Sequence, residues 1–313
     1  MNLNWLRNSV VALLFALSTV AHVAPLLFVA VLKALLPLRR VRRAFDRALM
    51  AIAASWIGFN TWMIRAMSHT RFIIETPPTL RRDGHYLVMA NHQSWVDIPI
   101  LQAVLNRKVP LLRFFLKSQL FWVPLLGLAW WALDFPFMKR YSREVLTKRP
   151  ELAGRDIAAT RRSCAKFRDI PVSVMNFVEG TRFTPAKHAR QASPFAHLLK
   201  PKAGGVGFVL DAMGDALHSL LDVTLVYPHG RPTIADLFSD RVPEVHVSVL
   251  ERPIPRELIG GDYENDPQVR VRVQRWINEI WRDKDAAISR ALAPDEDSLR
   301  QESLRQESRG RSR

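Results

Sequence analysis

Residues 85–97 read HYLVMANHQSWVD, and this stretch decides the fold. An apolar run from Tyr86 to Ala90 stops abruptly at Asn91-His92, and Asp97 stands five positions after the histidine. A short apolar run closed by polar residues reads as a buried strand. From Asp97 to Asn106 the pattern is helical, with Asp97 in the first turn, where a carboxylate suits the helix dipole. On one straight helix a spacing of five sets two side chains about 140° apart. A turn between strand and helix is therefore needed for them to meet. So placed, the pair has the form of a general base and its orienting partner. Most such neighbouring pairs are structural. Two features tip this one toward chemistry: a strand end, where open α/β sheets form their sites, and phosphate-type ligands further along the chain.

Outward from this stretch the chain alternates short strands with helices. Strands are expected at 71–75, 86–90, 109–116, 134–138, 172–178, 218–226 and 244–251. Helices are expected at 97–106, 151–169, 204–213 and 267–284, the last with Pro267 at its first position. Residues 183–203 read as a basic loop with little periodicity. The alternation implies an α/β domain, residues 70–285, with a mainly parallel central sheet flanked by helices. The stretch 120–132, LFWVPLLGLAWWA, is too short to span a bilayer. It reads as core or as a patch dipping into the membrane beside the site mouth. Residues 286–313 contain SLRQE twice, then RGRSR, and read as a charged, disordered tail.

The first 69 residues read as membrane-anchoring helices. Residues 9–32 carry no formal charge and make about 36 Å of helix, against a hydrocarbon core of about 30 Å. A cleavable signal is the alternative, but the apolar stretch runs well past the small residues Ala21 to Ala24. Arg39, Arg40, Arg42, Arg43 and Arg47 mark a cytoplasmic, headgroup-contacting segment. The second uncharged run, 48–64, is short for a span. One run at most is expected to cross, with the second in the interface. A shallow two-helix hairpin inserted from the cytoplasmic face is the alternative. Either way the expected place is the inner, cytoplasmic membrane, with the α/β domain on its cytoplasmic face.

Of the 313 residues, 48% are hydrophobic, enough for a full core, and the formal net charge of +16 suits an anionic partner. Single-strand nucleic-acid binders interleave basic residues with stacking aromatics. Here the nine tryptophans sit mostly in apolar stretches, which favours a phospholipid membrane over nucleic acid. The single Cys164 excludes an internal disulfide framework and a multi-cysteine metal site.

Three further elements sit at strand ends or in the loops after them: Phe137-Met138-Lys139-Arg140, Phe177 to Arg182, and Lys200 to Gly205. Guanidiniums grip phosphate oxygens bidentately and ammoniums act as point charges. Glycines let the backbone approach a ligand, and a helix opening at Gly204-Gly205 presents amides to an anion. Singly each has a bland reading: a solvated basic pair, a turn with an ion pair, a glycine cluster that is not a P-loop. With the His–Asp pair they define a cleft with one base and several cations.

These blocks, NHQSWVD, FPFMKR, FVEGTRF and KPKAGG with LVYP after it, resemble in order and spacing the four blocks of the 1-acylglycerol-3-phosphate acyltransferase family. The wording DFPFMKRYS is most similar to the branch of YihG-like and lysocardiolipin acyltransferases. The second block departs from the commoner form, with Met138-Lys139 where an acidic residue often precedes the arginine. The resemblance implies that His92 takes the proton of an acceptor hydroxyl while Asp97 fixes its tautomer. It implies Arg182 and Arg140 on the acceptor phosphate, Glu179, Gly180 and Thr181 shaping that pocket, and Lys200 or Lys202 as secondary cations. Asn91 is read as arranging the turn, and backbone amides near His92 as donors to the oxyanion. The donor implied is acyl-CoA or acyl carrier protein, as substrate and not as cofactor. The acceptor is a lysophospholipid, most simply lysophosphatidate acylated at sn-2, alternatively lysophosphatidylglycerol. No metal is expected. Two rivals remain: a hydrolase using Ser94, which has no G-x-S-x-G elbow, and a basic, non-catalytic membrane tether.

Overall fold

The computed structural model describes residues 3–36, 38–138, 167 and 170–293. In chain order the strands are β1 (Arg71–Glu75), β2 (His85–Ala90), β3 (Leu112–Phe114), β4 (Leu116–Lys117), β5 (Phe137–Met138), β6 (Val172–Phe177), β7 (Ser219–Val226) and β8 (Glu244–Arg252). The helices are α1 (Leu3–Leu35), α2 (Arg39–Met67), α3 (Asp97–Leu105), α4 (Leu126–Ala132), α5 (Pro185–Gln191), α6 (Gly204–Met213), α7 (Ile234–Leu237) and α8 (Pro267–Leu292).

Six strands form one sheet in the order β1-β8-β7-β2-β6-β3, and β4 pairs with β5 in a second, two-stranded sheet. The strands β7, β2, β6 and β3 are mutually parallel, while β8 runs antiparallel to β7 and pairs in parallel with β1. The mainly parallel α/β sheet expected from the alternation is therefore present. From β2 the chain first builds the sheet toward β3 and β6, then returns to add β7 on the other side. The crevice at the carboxyl end of β2 is thus a topological switch point, where open sheets bind ligands.

Side chains alternate between the two sheet faces. Tyr86, Val88 and Ala90 pack with Leu221, Val223 and Leu225 in one apolar cluster, which also holds Val23, Leu26, Leu49 and Ala53 of the N-terminal helices. Leu87, Met89 and Val174 face the other way, into a cluster closed by Val206 and Leu210 of α6 and by Val273, Ile277 and Trp281 of α8. The first 69 residues are accordingly continuous with the core of the sheet. On α2, Leu49, Ala53, Ile57, Met63 and Ile64 are buried. The expectation that this helix rests in the membrane interface gives way on that face to contact with protein.

Asn4–Leu35 is long and apolar enough, by length and composition, to cross a membrane. Its two ends are nonetheless fastened to the rest of the chain. Near the start, Arg7 pairs with Asp240 at 2.7 Å and Asn8 donates to Ser239 at 2.8 Å. Near the end, Lys33 pairs with Asp46 at 2.5 Å and lies 3.9 Å from Asp134.

Several boundaries differ from the sequence reading. The stretch expected as one strand over 109–116 gives only β3 and β4, divided between the two sheets at Phe115. Of 134–138 only Phe137–Met138 pairs, since Asp134 turns the chain at a φ of 57°. The basic loop 183–203 contains α5, whose Thr184 caps it by accepting from the Lys187 amide and whose Pro185 suits the first turn. Seven residues are too few to display a helical period. The last helix runs on to Leu292, so the expected boundary after residue 285 falls inside it. The helix expected over 151–169 lies almost wholly outside the described residues, as do the tail from 294 onward and Lys139 and Arg140.

Candidate active site

Asn91 follows β2 and continues its ladder through its side chain. It donates to the Leu225 carbonyl and accepts from the Leu225 amide, both at 2.8 Å. This two-way clamp onto β7 fixes where the chain leaves the sheet and enters the turn. The His92 amide donates to Glu179 at 2.9 Å, and the His92 carbonyl accepts from the Phe183 amide at 2.7 Å. The loop after β6 thereby grips both sides of the histidine. The ring of His92 stacks on Phe177, centroids 3.9 Å apart and planes 15° apart.

His92 Nδ1 lies 2.8 Å from Asp97 Oδ2. Asp97 opens α3 and is fully buried. The same oxygen accepts from the Gln93 amide at 2.6 Å and the Ser94 amide at 2.9 Å, and Oδ1 accepts from the Tyr227 hydroxyl at 2.6 Å. A buried carboxylate is tolerated only when paired and hydrogen-bonded, and here both oxygens are engaged. With Nδ1–H given to the carboxylate, the lone pair of the imidazole is left on Nε2. Burial, together with the adjoining Asp97 carboxylate, pushes the Tyr227 phenol well above its usual range, so it stays a donor. Tyr227 ends the strand beside β2. The sequence reading quoted it within LVYP but gave it no role; its place at a strand end was the available signal.

The amides expected near His92 as oxyanion donors are already committed. That of His92 is held by Glu179, and those of Gln93 and Ser94 by Asp97. The Ser94 hydroxyl donates to the Pro232 carbonyl and accepts from the Val96 amide at 3.0 Å, so it is oriented as a structural group.

Glu179 is likewise buried, and its second oxygen accepts from the Leu199 amide at 3.1 Å. Burial raises its carboxyl to about 8, against the opposing pull of the two backbone donors. It joins the His92 turn to the 199–202 loop and does not line an open pocket. Gly180 sits at a φ of 69°, and a Cβ there would stand 3.5 Å from Lys202 Nζ. Lys202 therefore lies against the rim of this loop. The Arg182 guanidinium lies over the ring of Trp95, 4.5 Å from its centroid, on the turn that carries His92. Such stacking leaves the guanidinium edge free to bind oxygen. Lys187 of α5, another residue not singled out in the sequence, donates to Thr181 Oγ1 at 2.8 Å and to the Arg182 carbonyl at 3.0 Å. Lys200 points elsewhere: it lines a groove of about 530 Å³ with Gln274, Asn278 and Arg282 of α8. Arg140 lies outside the described residues. The fold thus brings His92, Asp97, Asn91, Glu179, Gly180, Thr181, Arg182 and Lys202 to one end of the sheet and sends Lys200 aside.

A family profile described as Acyltransferase matches residues 71–228. The 1-acyl-sn-glycerol-3-phosphate acyltransferase delta of Rattus norvegicus is 24% identical over 238 residues, which are 70% of this chain and 57% of that protein. Lysocardiolipin acyltransferase 1 of Danio rerio is 25% identical over 253 residues, 76% of this chain and 60% of that protein. The chain therefore spans less than two thirds of the length of these relatives. Among solved structures, the 1-acyl-sn-glycerophosphate (LPA) acyltransferase PlsC from Thermotoga maritima shares the fold. Its TM-score is 0.50 at 18% identity, and the match covers 89% of this chain and 98% of that one.

Proposed function

This chain belongs to the acyltransferase family, and on that premise we propose that it transfers a fatty acyl group from a thioester donor to a lysophospholipid. The favoured acceptor is the sn-2 hydroxyl of 1-acylglycerol-3-phosphate, giving phosphatidate. The observation that carries the reading is the His92–Asp97 contact at 2.8 Å, held at a topological switch point beside the Arg182 loop.

In this mechanism His92 Nε2 removes the proton of the acceptor hydroxyl. The oxygen adds to the thioester carbonyl, the carbon–sulfur bond breaks, and the imidazolium returns its proton to the leaving thiolate. Asp97 stabilises the imidazolium and keeps Nδ1 protonated, and Tyr227 keeps Asp97 in place. Arg182 and Lys202 take the acceptor phosphate, with Arg140 as a further cation. Holding acceptor and thioester together supplies acceleration through orientation. The thioester donor is acyl-CoA or acyl carrier protein. The catalytic end is taken to face the cytoplasm, with the N-terminal helices holding the protein on the inner membrane. The exposed Arg40, Arg42 and Arg43 suit anionic headgroups there.

A second acceptor is favoured by one observation, the likeness to lysocardiolipin acyltransferase 1. The test offers the purified full-length protein a panel of lysophosphatidate, lysophosphatidylglycerol and monolysocardiolipin with acyl-CoA, then with acyl carrier protein, and measures thiol release. Lysophosphatidate is expected to be the best acceptor, and His92→Ala to lower turnover roughly 10²- to 10⁴-fold, the range for a lost general base. Full turnover in His92→Ala would exclude the mechanism. A trapped acyl-Ser94 would favour the hydrolase.

A further inference from the structure

Between β4 and β5 the chain makes a knuckle that places large apolar side chains on the surface. A 3-10 turn, Ser118–Trp122, leads through Pro124 into α4. Trp122 is 81% exposed and Trp131 61% exposed, with Leu125 and Leu128 also outward. Leu125, Leu128 and Trp131 repeat every third residue, so they share one side of the short helix. Its inward side is firmly based: Ala129, Ala132, Leu133 and Phe135 are buried in the core beneath α1 and α2.

The backbone is strained to hold this shape. Leu125 has a φ of 62° and Asp134 one of 57°, both in the left-handed region at non-glycine residues. At Gly127 a Cβ would come within 1.8 Å of the Phe121 carbonyl oxygen, so only glycine fits. Strain that persists while displaying apolar surface points to a function for that surface.

Three observations identify what covers it. First, the knuckle continues the apolar surface of α1, where Phe28, Val31 and Leu35 are exposed and where Lys33 lies beside Asp134. Second, cations are exposed on the elements joined to it: Lys117 precedes it in the chain, and Arg40, Arg42 and Arg43 open α2, whose Asp46 shares Lys33 with Asp134. Tryptophans flanked by cations are the composition of a protein surface at the bilayer–water interface. Third, its root reaches the site. Phe114 of β3, two residues before β4, lies 6.1 Å from Phe177, the ring on which His92 stacks.

We propose that the 118–132 knuckle inserts Trp122 and Trp131 into the headgroup region of an anionic phospholipid bilayer, setting the mouth of the His92 site at the membrane surface. This rests on the reading of the acceptor as a bilayer lipid. The test is sedimentation of the full-length protein with vesicles of phosphatidylethanolamine and phosphatidylglycerol, with no turnover required. Trp122→Ala combined with Trp131→Ala is expected to weaken partition about tenfold or more, since burying each large apolar side chain is worth a factor of that order. Trp122→Phe, which keeps an aromatic ring, is expected to retain most binding and serves as the check on folding. Unchanged partition of the double alanine variant would overturn the proposal. So would a wild-type protein that is dimeric without lipid and made monomeric by those substitutions, because a second copy would then be the occupant. Vesicle binding that depends on the tryptophans, in a protein that transfers no acyl group, would sink the proposed function and leave this inference standing.

Discussion

The His92 turn and the 118–132 knuckle break the usual inside–outside rule in opposite directions. The turn buries ionisable groups: Asp97 and Glu179 are almost wholly removed from water. The knuckle exposes tryptophan and leucine. At the turn hydrogen bonds engage both oxygens of each carboxyl group, although at Glu179 burial outweighs them and raises its proton affinity. At the knuckle, among the described residues, Trp122 and Trp131 stay largely exposed. A buried polar network must be complete to be stable, whereas an exposed apolar face is completed by something outside the molecule.

The comparison can be broken at its polar end first. Asp97→Asn keeps the shape but removes the acceptor that holds the His92 tautomer. Turnover is expected to fall about 10³- to 10⁴-fold, on the scale of the same change in a serine-protease triad, with the melting temperature lowered as well. Near-normal turnover in that variant would mean that the contact is only structural.

Glu179 tests whether burial alone sets a proton's affinity. Its carboxyl titrates near 8 in the folded chain against an ordinary value of 4.5. Between these values the unfolded chain has lost a proton that the folded one keeps. Stability is therefore fully present below about pH 4.5, falls as pH rises toward 8 by up to about 1.4 kcal/mol per pH unit, and levels off above it. Glu179→Gln should flatten that slope in denaturant titrations between pH 5 and 8.

Asn91→Ala leaves the Leu225 amide and carbonyl without their partners in a buried place, and should lower stability by about 2–3 kcal/mol. Chemical denaturation measures this directly. Tyr227→Phe removes one donor from Asp97 and keeps the ring. Turnover is expected to drop roughly tenfold, the worth of one hydrogen bond to a charged group, with a changed pH profile of kcat/KM and little effect on KM. The smallest effect belongs to the knuckle. Trp122→Gln should leave thermal stability in detergent-free buffer within about 0.5 kcal/mol, as surface changes do. A large loss would show that this side chain is part of the core.

Much of this was legible in the sequence for a physical reason. The strands β2, β6 and β7 beside the site are mostly buried and so are rich in apolar residues, β8 alternates along one half-buried face, and with the short edge strand β1 they fall within a residue or so of expectation. Asn91, His92 and Asp97 were visible because a strand end and a helix start are adjacent in the chain. Helix α5 was missed because its start is signalled by a cap and a proline, with too few turns to show a period. Tyr227 and Trp95 gave little warning because their importance lies in partners 130 and 87 positions away, Asp97 and Arg182. Lys200 and Lys202 look alike in sequence, and on a regular strand residues two apart would share a face, but this segment is irregular. Lys202 lies against Gly180 and Lys200 lines the groove along α8.

By itself the sequence determined the α/β class, the order of the elements and the histidine–carboxylate pair, since all of these follow from local burial and from neighbours in the chain. Only the tertiary structure decided that both ends of α1 are tied down, that Glu179 bridges two loops instead of facing a ligand, and that the amides beside His92 are already taken. These depend on contacts between distant segments, whose pairing is set by how the sheet is assembled and leaves no local trace in the order of residues.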